Sequence, residues 1–297
     1  MKISEIKTEI ILSKETALMS KSTILGYEQV LRHLEAFFSA DKEVESITLK
    51  EVKDYIIEKK SWKRSYLAKH IQMVKAIFKH LEEHSLIKKN IMSRVKNPRN
   101  EETPVDFLTT EEIAALDKAS SEKVIDTRRR ALYWIIRETG LRANEAGAIE
   151  LRDVNMAKKY IFIRKSKGRI TKNVPFSNNT KKKIQEYLAE NPPTSIYLFG
   201  NEAGGCINRA VVSRLLDDIY DKAFDLRKWK KKRGAHLLRH ACATEWVANN
   251  GNLKGLQFIM GWNSLAMCDR YVHVSPEIIT EMFVEMKENK KARESKK

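Results

Sequence analysis

The 297-residue sequence predicts a mainly α-helical chain of two domains carrying one small β-hairpin. Three observations lead there. Apolar residues recur at helical spacing through the first 95 positions. A polar, proline-containing stretch then interrupts the pattern. Further on, two short β-type runs flank a glycine turn. The length agrees, because single hydrophobic cores seldom grow past about 250–300 residues.

From Ser22 to Ala40, the residues Ile24, Tyr27, Val30, Leu31, Leu34, Phe37 and Phe38 fall on one helical stripe. Thr48 opens a second helix, with Glu51 completing a capping box, and the helix continues through Val52, Tyr55 and Ile56. A third helix, about Ser65 to Glu83, aligns Leu67, Ile71, Val74, Ile77, Phe78 and Leu81. Lys53, Lys59, Lys60, Lys63, Arg64, Lys69 and Lys75 cover the other faces and the connections. Residues 1–95 therefore read as a small basic helical bundle. Residues 96–106, with Asn97-Pro98 and Pro104, read as a linker.

A second domain spans 107–285. Thr109 and Glu112 form another capping box, opening a helix to about Ala119. A longer helix from about Ile125 ends at Thr139-Gly140, where glycine suits a left-handed cap. Lys159–Arg164 (KYIFIR) and Lys172–Phe176 (KNVPF) are the two strands, and KSKGRIT is their turn. Helices follow at about Asn178–Glu190, Asn208–Phe224, Ala235–Asn249, Asn252–Met260 and Pro276–Lys290. Residues 286–297 read as a charged flexible tail.

Charge narrows the function. Fifty-six Lys and Arg against 39 Asp and Glu give a net charge of +17, with a pI near 9.6. Such an excess favours a polyanionic partner, because neutralising phosphates releases condensed counterions. An anionic lipid surface is the competing partner on charge alone. No apolar run approaches a membrane span, and the start, MKISEIKTEI, is no secretory signal. Cys206, Cys242 and Cys268 are widely spaced and lack zinc-finger spacing. A cytoplasmic protein without structural disulfides, metal or cofactor is expected.

Three islands in the second domain carry chemistry. The first is TGLRANE, residues 139–145, at a helix end. The second is HLLRH, residues 236–240, inside a helix, where His236 and Arg239 share a face at i and i+3. The third is Met260-Gly261-Trp262, followed nine residues after the tryptophan by Tyr271. A guanidinium beside an imidazole suits phosphate binding with proton transfer. Arg142 adds a second guanidinium at a loop-to-helix turn, and the Lys167-Gly168 turn can push an ammonium into a groove. No paired acidic motif would hold Mg²⁺. Taken singly, each feature has a plain structural alternative: Arg142 could pair with Glu145, and Trp262 and Tyr271 could be core aromatics.

Together, in this order, the islands resemble the tyrosine recombinase (integrase) family. TGLRANEAGAIELRDVNM is similar to its first-arginine motif, with Arg142 in the arginine place and Glu145 in the acidic place. KSKGRITKNVPF resembles its β-hairpin, which puts Lys167 in the place of the active-site lysine, with Lys165, Arg169 and Lys172 close by. HLLRH matches its HxxR box, and GWNSLAMCDRYVHV its last box, with Trp262 where the family carries His or Trp. Ala146 departs from the larger apolar residue that is commoner there. The resemblance covers about 107–285; the first domain matches in size, helicity and basic character, as a SAM-like core-binding domain would.

The resemblance implies a metal- and ATP-independent DNA strand transferase. Tyr271 would attack the scissile phosphodiester, forming a 3′-phosphotyrosyl bond. His236 would be its base, Arg142 and Arg239 would clamp the phosphate, and Trp262 would donate from its indole. Lys167 would protonate the leaving 5′-oxygen, and Glu145 would orient its neighbours. Lys63, Arg64, Lys69, Arg169, Lys172, Lys230, Lys231, Lys232 and Arg233 are the expected DNA contacts, the last four from the acid-free run LRKWKKKR, residues 226–233. The implied partners are duplex DNA with a specific site, gripped by two domains as a clamp, and a homotetramer across two sites formed from monomers or dimers. An activating accessory protein is a further implied partner; a membrane is not. The apolar stripe Ile278, Ile279, Met282, Phe283 and Met286 would dock on a neighbouring protomer or on its own domain. Xer-like resolution of DNA dimers leads the roles. The others are an integrase of a virus or mobile element, a type IB topoisomerase, and a DNA-binding protein that cuts nothing.

Overall fold

The computed structural model describes residues 1–98, 106–164, 171–249 and 251–272. The chain divides into two compact units, Met1–Pro104 and Val105–Lys297. The expected turn KSKGRIT falls largely outside the described residues, as do the helix at 276–290 and the tail.

The first unit holds α1 (Ile3–Thr16), α2 (Lys21–Phe38), α3 (Leu49–Glu58) and α4 (Arg64–Glu83). Ile3, Ile6 and Ile10 bury the inner face of α1 against Val30, Leu31 and Leu34 of α2 and Ile71, Val74 and Ile77 of α4. Each fully buried side chain of this kind contributes about 1.5–3 kcal/mol relative to exposure. Ser20 caps α2 by accepting from the Thr23 N–H. Thr48 and Glu51 close the expected box on α3: Thr48 N–H donates to Glu51 Oε2 at 2.8 Å, and Glu51 N–H to Thr48 Oγ1 at 3.2 Å. The basic outer faces follow the pattern, with Lys63, Arg64 and Lys69 exposed.

The second unit is organised around α6. Its helices are α5 (Thr110–Ser120), α6 (Thr127–Thr139), α7 (Ala143–Gly147), α8 (Asn178–Glu190), α9 (Arg209–Ala223), α10 (Ala235–Ala248) and α11 (Leu253–Met260). Within α6, Ala131, Leu132, Tyr133, Ile135 and Ile136 are fully buried. A helix apolar on so many sides must be central, and α8, α9 and α10 all pack on it. Arg137 on α6 forks onto Glu245 of α10, with Nη2 to Oε1 at 2.6 Å. A buried guanidinium answered by a bidentate carboxylate fixes the rotation of one helix on the other.

The sheet is antiparallel, in the order β1 (Val154–Asn155), β2 (Tyr160–Ile163), β3 (Lys172–Pro175). Ile161 faces Val174 and Ile163 faces Lys172 across β2 and β3. Because side chains alternate along a strand, these four share the buried face. Lys172 is consequently buried, 1% exposed, which corrects its expected role as a DNA contact. A side chain under the sheet reaches no phosphate.

Candidate active site

Gly140 makes the first turn of the site possible. It caps α6 at φ +60, the left-handed region glycine adopts without a Cβ penalty. A Cβ there would fall 2.5 Å from Met260 Cε and 3.3 Å from Cys242 Sγ. The chain then turns directly into α7, whose N-cap is Arg142. Glu145 reaches back to accept from the Arg142 N–H at 2.9 Å and from its Nη1 at 3.0 Å. The Glu145 side chain is 6% exposed and that of Arg142 36% exposed. One terminal nitrogen of the guanidinium is held by Glu145 while the side chain stays partly open to solvent.

α10 carries His236, Arg239 and His240 at i, i+3 and i+4, on one face. Arg239 is buried and donates from Nη1 to the Gly140 carbonyl and from Nη2 to the Met260 carbonyl, each at 2.6 Å. Burial, with Arg142 beside it, lowers its pKa to about 10. His236 is the exposed member. Loss of water on its inner side, then the cations Arg239, Arg209, Lys232 and Arg142, hold its pKa below the ordinary value.

α11 ends on Gly261, again left-handed at φ +59, and the chain swings back with Trp262. The Arg239 guanidinium lies 5.8 Å from the Trp262 ring centre. Trp262 stacks on Tyr271 at 5.3 Å and 18°, and the Phe107 ring meets Tyr271 edge-on at 6.0 Å. Tyr271 is 6% exposed and sits in a single 3-10 turn, Asp269–Tyr271. Its hydroxyl is 2.5 Å from His240 Nδ1. Beneath this layer the Lys172 ammonium donates to the Ile259 carbonyl. Burial lowers its pKa to about 8, against the pull of Glu145 and with the push of Arg239 and Arg142. Cys242 and Cys268 are buried thiols, with the pKa of Cys242 pushed up to about 11 by burial.

Arg142, Glu145, Arg239, Trp262 and Tyr271 thus lie in one connected cluster, with His236 4.4 Å from His240 at its edge. Lys167 and Arg169 lie outside the described residues. Lys230, Lys232 and Arg233 are exposed. Arg233 donates to Asp221 at 2.5 Å. Lys231 is half-buried, its ammonium shared between Glu112 and the Phe107 carbonyl at 2.8 Å. His240 is the member that sequence reasoning did not single out, and Lys172, expected as a DNA contact, lies buried beneath the cluster instead. The first is legible as the i+4 partner of His236, the second as the strand neighbour of Val174.

The arrangement can hold a tetrahedral anion between two guanidiniums and an imidazole with a phenol beside it, which is the equipment of phosphoryl transfer. Among the described residues no helix is long and apolar enough to cross a membrane, and no cluster of His, Cys, Asp and Glu could hold a metal ion.

Comparison with known proteins agrees with this chemistry. A tyrosine recombinase of Thermosipho africanus is 24% identical, over 87% of this chain and 90% of its own length. Tyrosine recombinase XerC of Listeria monocytogenes is 28% identical, over 87% and 89%. The solved Tn1549 transposon integrase, in complex with a circular-intermediate DNA, superposes with a TM-score of 0.77 at 18% identity, covering 96% of this chain and 99% of that one. Residues 106–277, more than half of the chain and the whole cluster just described, match the phage integrase family, and the chain belongs to that family, the tyrosine recombinases.

Proposed function

We propose that this tyrosine recombinase cuts and rejoins duplex DNA at a specific site through a 3′-phosphotyrosyl bond at Tyr271, in the service of Xer-like resolution of joined DNA molecules. The observation that carries the chemistry is the connected set Arg142, Arg239, Trp262 and Tyr271, with a titratable imidazole on either side of Arg239 along α10. The relatives named XerC, aligned along most of the chain, support the role.

The chemistry follows from the charges. Arg142 and Arg239 bind the non-bridging oxygens and stabilise the charge that builds on them. His236, whose charged form is disfavoured by partial burial and then by the surrounding cations, hydrogen-bonds the phosphoryl group from the solvent side. The Tyr271 oxygen gives its proton to an imidazole of α10 and forms the new P–O bond as the bond to the 5′-oxygen breaks. Lys167 supplies the proton that the 5′-oxygen needs. A second strand's 5′-hydroxyl then reverses the step, so one phosphodiester replaces another. Four protomers on two sites complete a strand exchange. Lys63, Arg64, Lys69, Lys230, Lys232 and Arg233 grip backbone phosphates.

A covalent trap tests the reading. Pooled nicked duplexes of random sequence are incubated with wild type and Tyr271→Phe in chelator, and adducts surviving denaturant are sequenced and mapped. A 3′-linked adduct at Tyr271, absent from the variant and confined to one sequence class, is expected. An adduct at another residue, or a strict requirement for added Mg²⁺, overturns it. Joined products between two sites, rather than relaxed plasmid, separate recombination from simple relaxation.

A further inference from the structure

We infer that His240 is the residue that receives the Tyr271 proton, leaving His236 to the phosphate; this rests on the function proposed above. The distance from His240 Nδ1 to the Tyr271 hydroxyl is 2.5 Å, and the two ring centres are 5.6 Å apart at 31°. In the neutral tautomer protonated on Nε2, His240 Nδ1 is an acceptor and the phenol donates to it, so the contact is aligned for the transfer. The contact is built from three sides. Trp262 stacks on one face of the phenol, Phe107 closes the edge of both rings at 6.0 and 6.3 Å, and α10 fixes His240 one turn from His236.

The geometry divides the labour between two histidines of one helix face. His236 is exposed and ringed by Arg239, Arg209, Lys232 and Arg142, an environment suited to an anionic phosphate. His240 is half-buried and turned to the nucleophile. The rings stand 4.4 Å apart at 77°, near enough for a charge on one to oppose a charge on the other. The balanced step is then complete. As the Tyr271 oxygen bonds to phosphorus, its proton passes to His240 Nδ1. The P–O5′ bond breaks, and the 5′-oxygen takes its proton from Lys167, the donor proposed above. In rejoining, the proton returns from His240 to the departing phenolate.

Two reactions that differ only in the nucleophile test this. The first is single-turnover adduct formation on a nicked duplex bearing the sequence recovered by the covalent trap. The second uses the Tyr271→Phe background and a strand ending in 3′-(p-nitrophenyl phosphate), joined by a 5′-hydroxyl strand with loss of p-nitrophenolate. His240→Leu should slow adduct formation by about 100-fold or more with DNA affinity unchanged. It should leave the nitrophenolate reaction within about threefold, because no tyrosine proton moves there. His240→Asn, which accepts a hydrogen bond near the Nδ1 position and takes no proton, should stay within about threefold of His240→Leu, and full rescue by asparagine would show that His240 only positions the phenol. His236→Leu should slow both reactions. Equal losses in both reactions for His240→Leu would show a structural role and overturn the inference, as would wild-type adduct formation in that variant. If wild type itself forms no Tyr271 adduct, the function proposed above fails first, and that outcome is distinct.

Discussion

Glu145 holds Arg142 by two atoms at once, the backbone N–H at 2.9 Å and Nη1 at 3.0 Å. One carboxylate therefore caps a five-residue helix and aims the guanidinium that the helix presents. Its charge also favours the charged forms of Lys172 and Arg239 more than that of any other group does. Glu145→Gln keeps a cap acceptor and loses the charge. It should lower cleavage by about tenfold or more while the unfolding midpoint moves little. Glu145→Leu should lower cleavage further and cost about 1 kcal/mol more stability through the lost cap. Denaturant melts beside single-turnover cleavage separate the two effects.

Arg239 should prove the least replaceable member of the site. Its two donors close the Gly140 and Met260 carbonyls, and a lysine cannot span both. Arg239→Lys should reduce cleavage by about 100-fold or more and lower stability by about 1–3 kcal/mol, because one buried carbonyl is left unpaired. A variant that cleaves at the wild-type rate would remove Arg239 from the chemistry.

Lys172 should make stability depend on pH in an unusual direction. Unfolded, its ammonium titrates near 10.5; folded, at about 8. Between those values the unfolded chain binds more protons, so this component of stability rises with pH. The Lys172→Met variant should be more stable than wild type at pH 7, on the order of 1–2 kcal/mol after the Ile259 carbonyl loses its donor. The gap should close as pH approaches 10. Urea melts at pH 7, 8.5 and 10 read it directly (the pH values are about those of the two titrations).

His236 should titrate below its ordinary value in the free protein, since partial burial and four cations disfavour its charged form. Protonating it opposes folding, so its contribution to stability is lost as pH falls below the unfolded value of 6.5. Arg209→Ala or Lys232→Ala should raise the titration, and bound DNA should raise it more. The imidazole proton resonances of selectively labelled histidine report the shift, and no movement in either variant would refute the electrostatic cause.

Gly147 should resist substitution where most small residues would not. An added Cβ would lie 2.3 Å from the Ile207 carbonyl oxygen, a backbone atom that cannot rotate away. Gly147→Ala should cost about 1–3 kcal/mol and, by displacing α7, slow cleavage too. Gly255→Ala, whose Cβ would meet the Trp246 ring at 3.2 Å, is the milder comparison in the same melts.

The chemistry of this protein was written more openly than its support. Arg142, His236, Arg239, Trp262 and Tyr271 stand out because each sits in a short island with a fixed order. The α1 helix is not among the expected elements: Ile3, Ile6 and Ile10 carry its buried face, but the stretch has no cap of the usual kind to mark its start. Lys172 looks like every other lysine of its hairpin by composition, and only strand alternation with Val174 tells it from them. The approach of Met260 to Gly140, or of Glu245 to Arg137, links positions more than a hundred residues apart. No local period encodes such a meeting; packing alone creates it.

The fork of Arg239 has an evolutionary consequence. It closes the C-terminal ends of two helices, α6 and α11, in addition to the phosphate-binding role proposed for it. A descendant that abandoned DNA cutting could exchange Tyr271 for phenylalanine and keep the stack on Trp262. It could not discard Arg239 without rebuilding both helix ends. Decayed copies of this gene should therefore lose the nucleophile long before the arginine, and an intact HxxR motif in a paralogue is poor evidence that the paralogue still cuts.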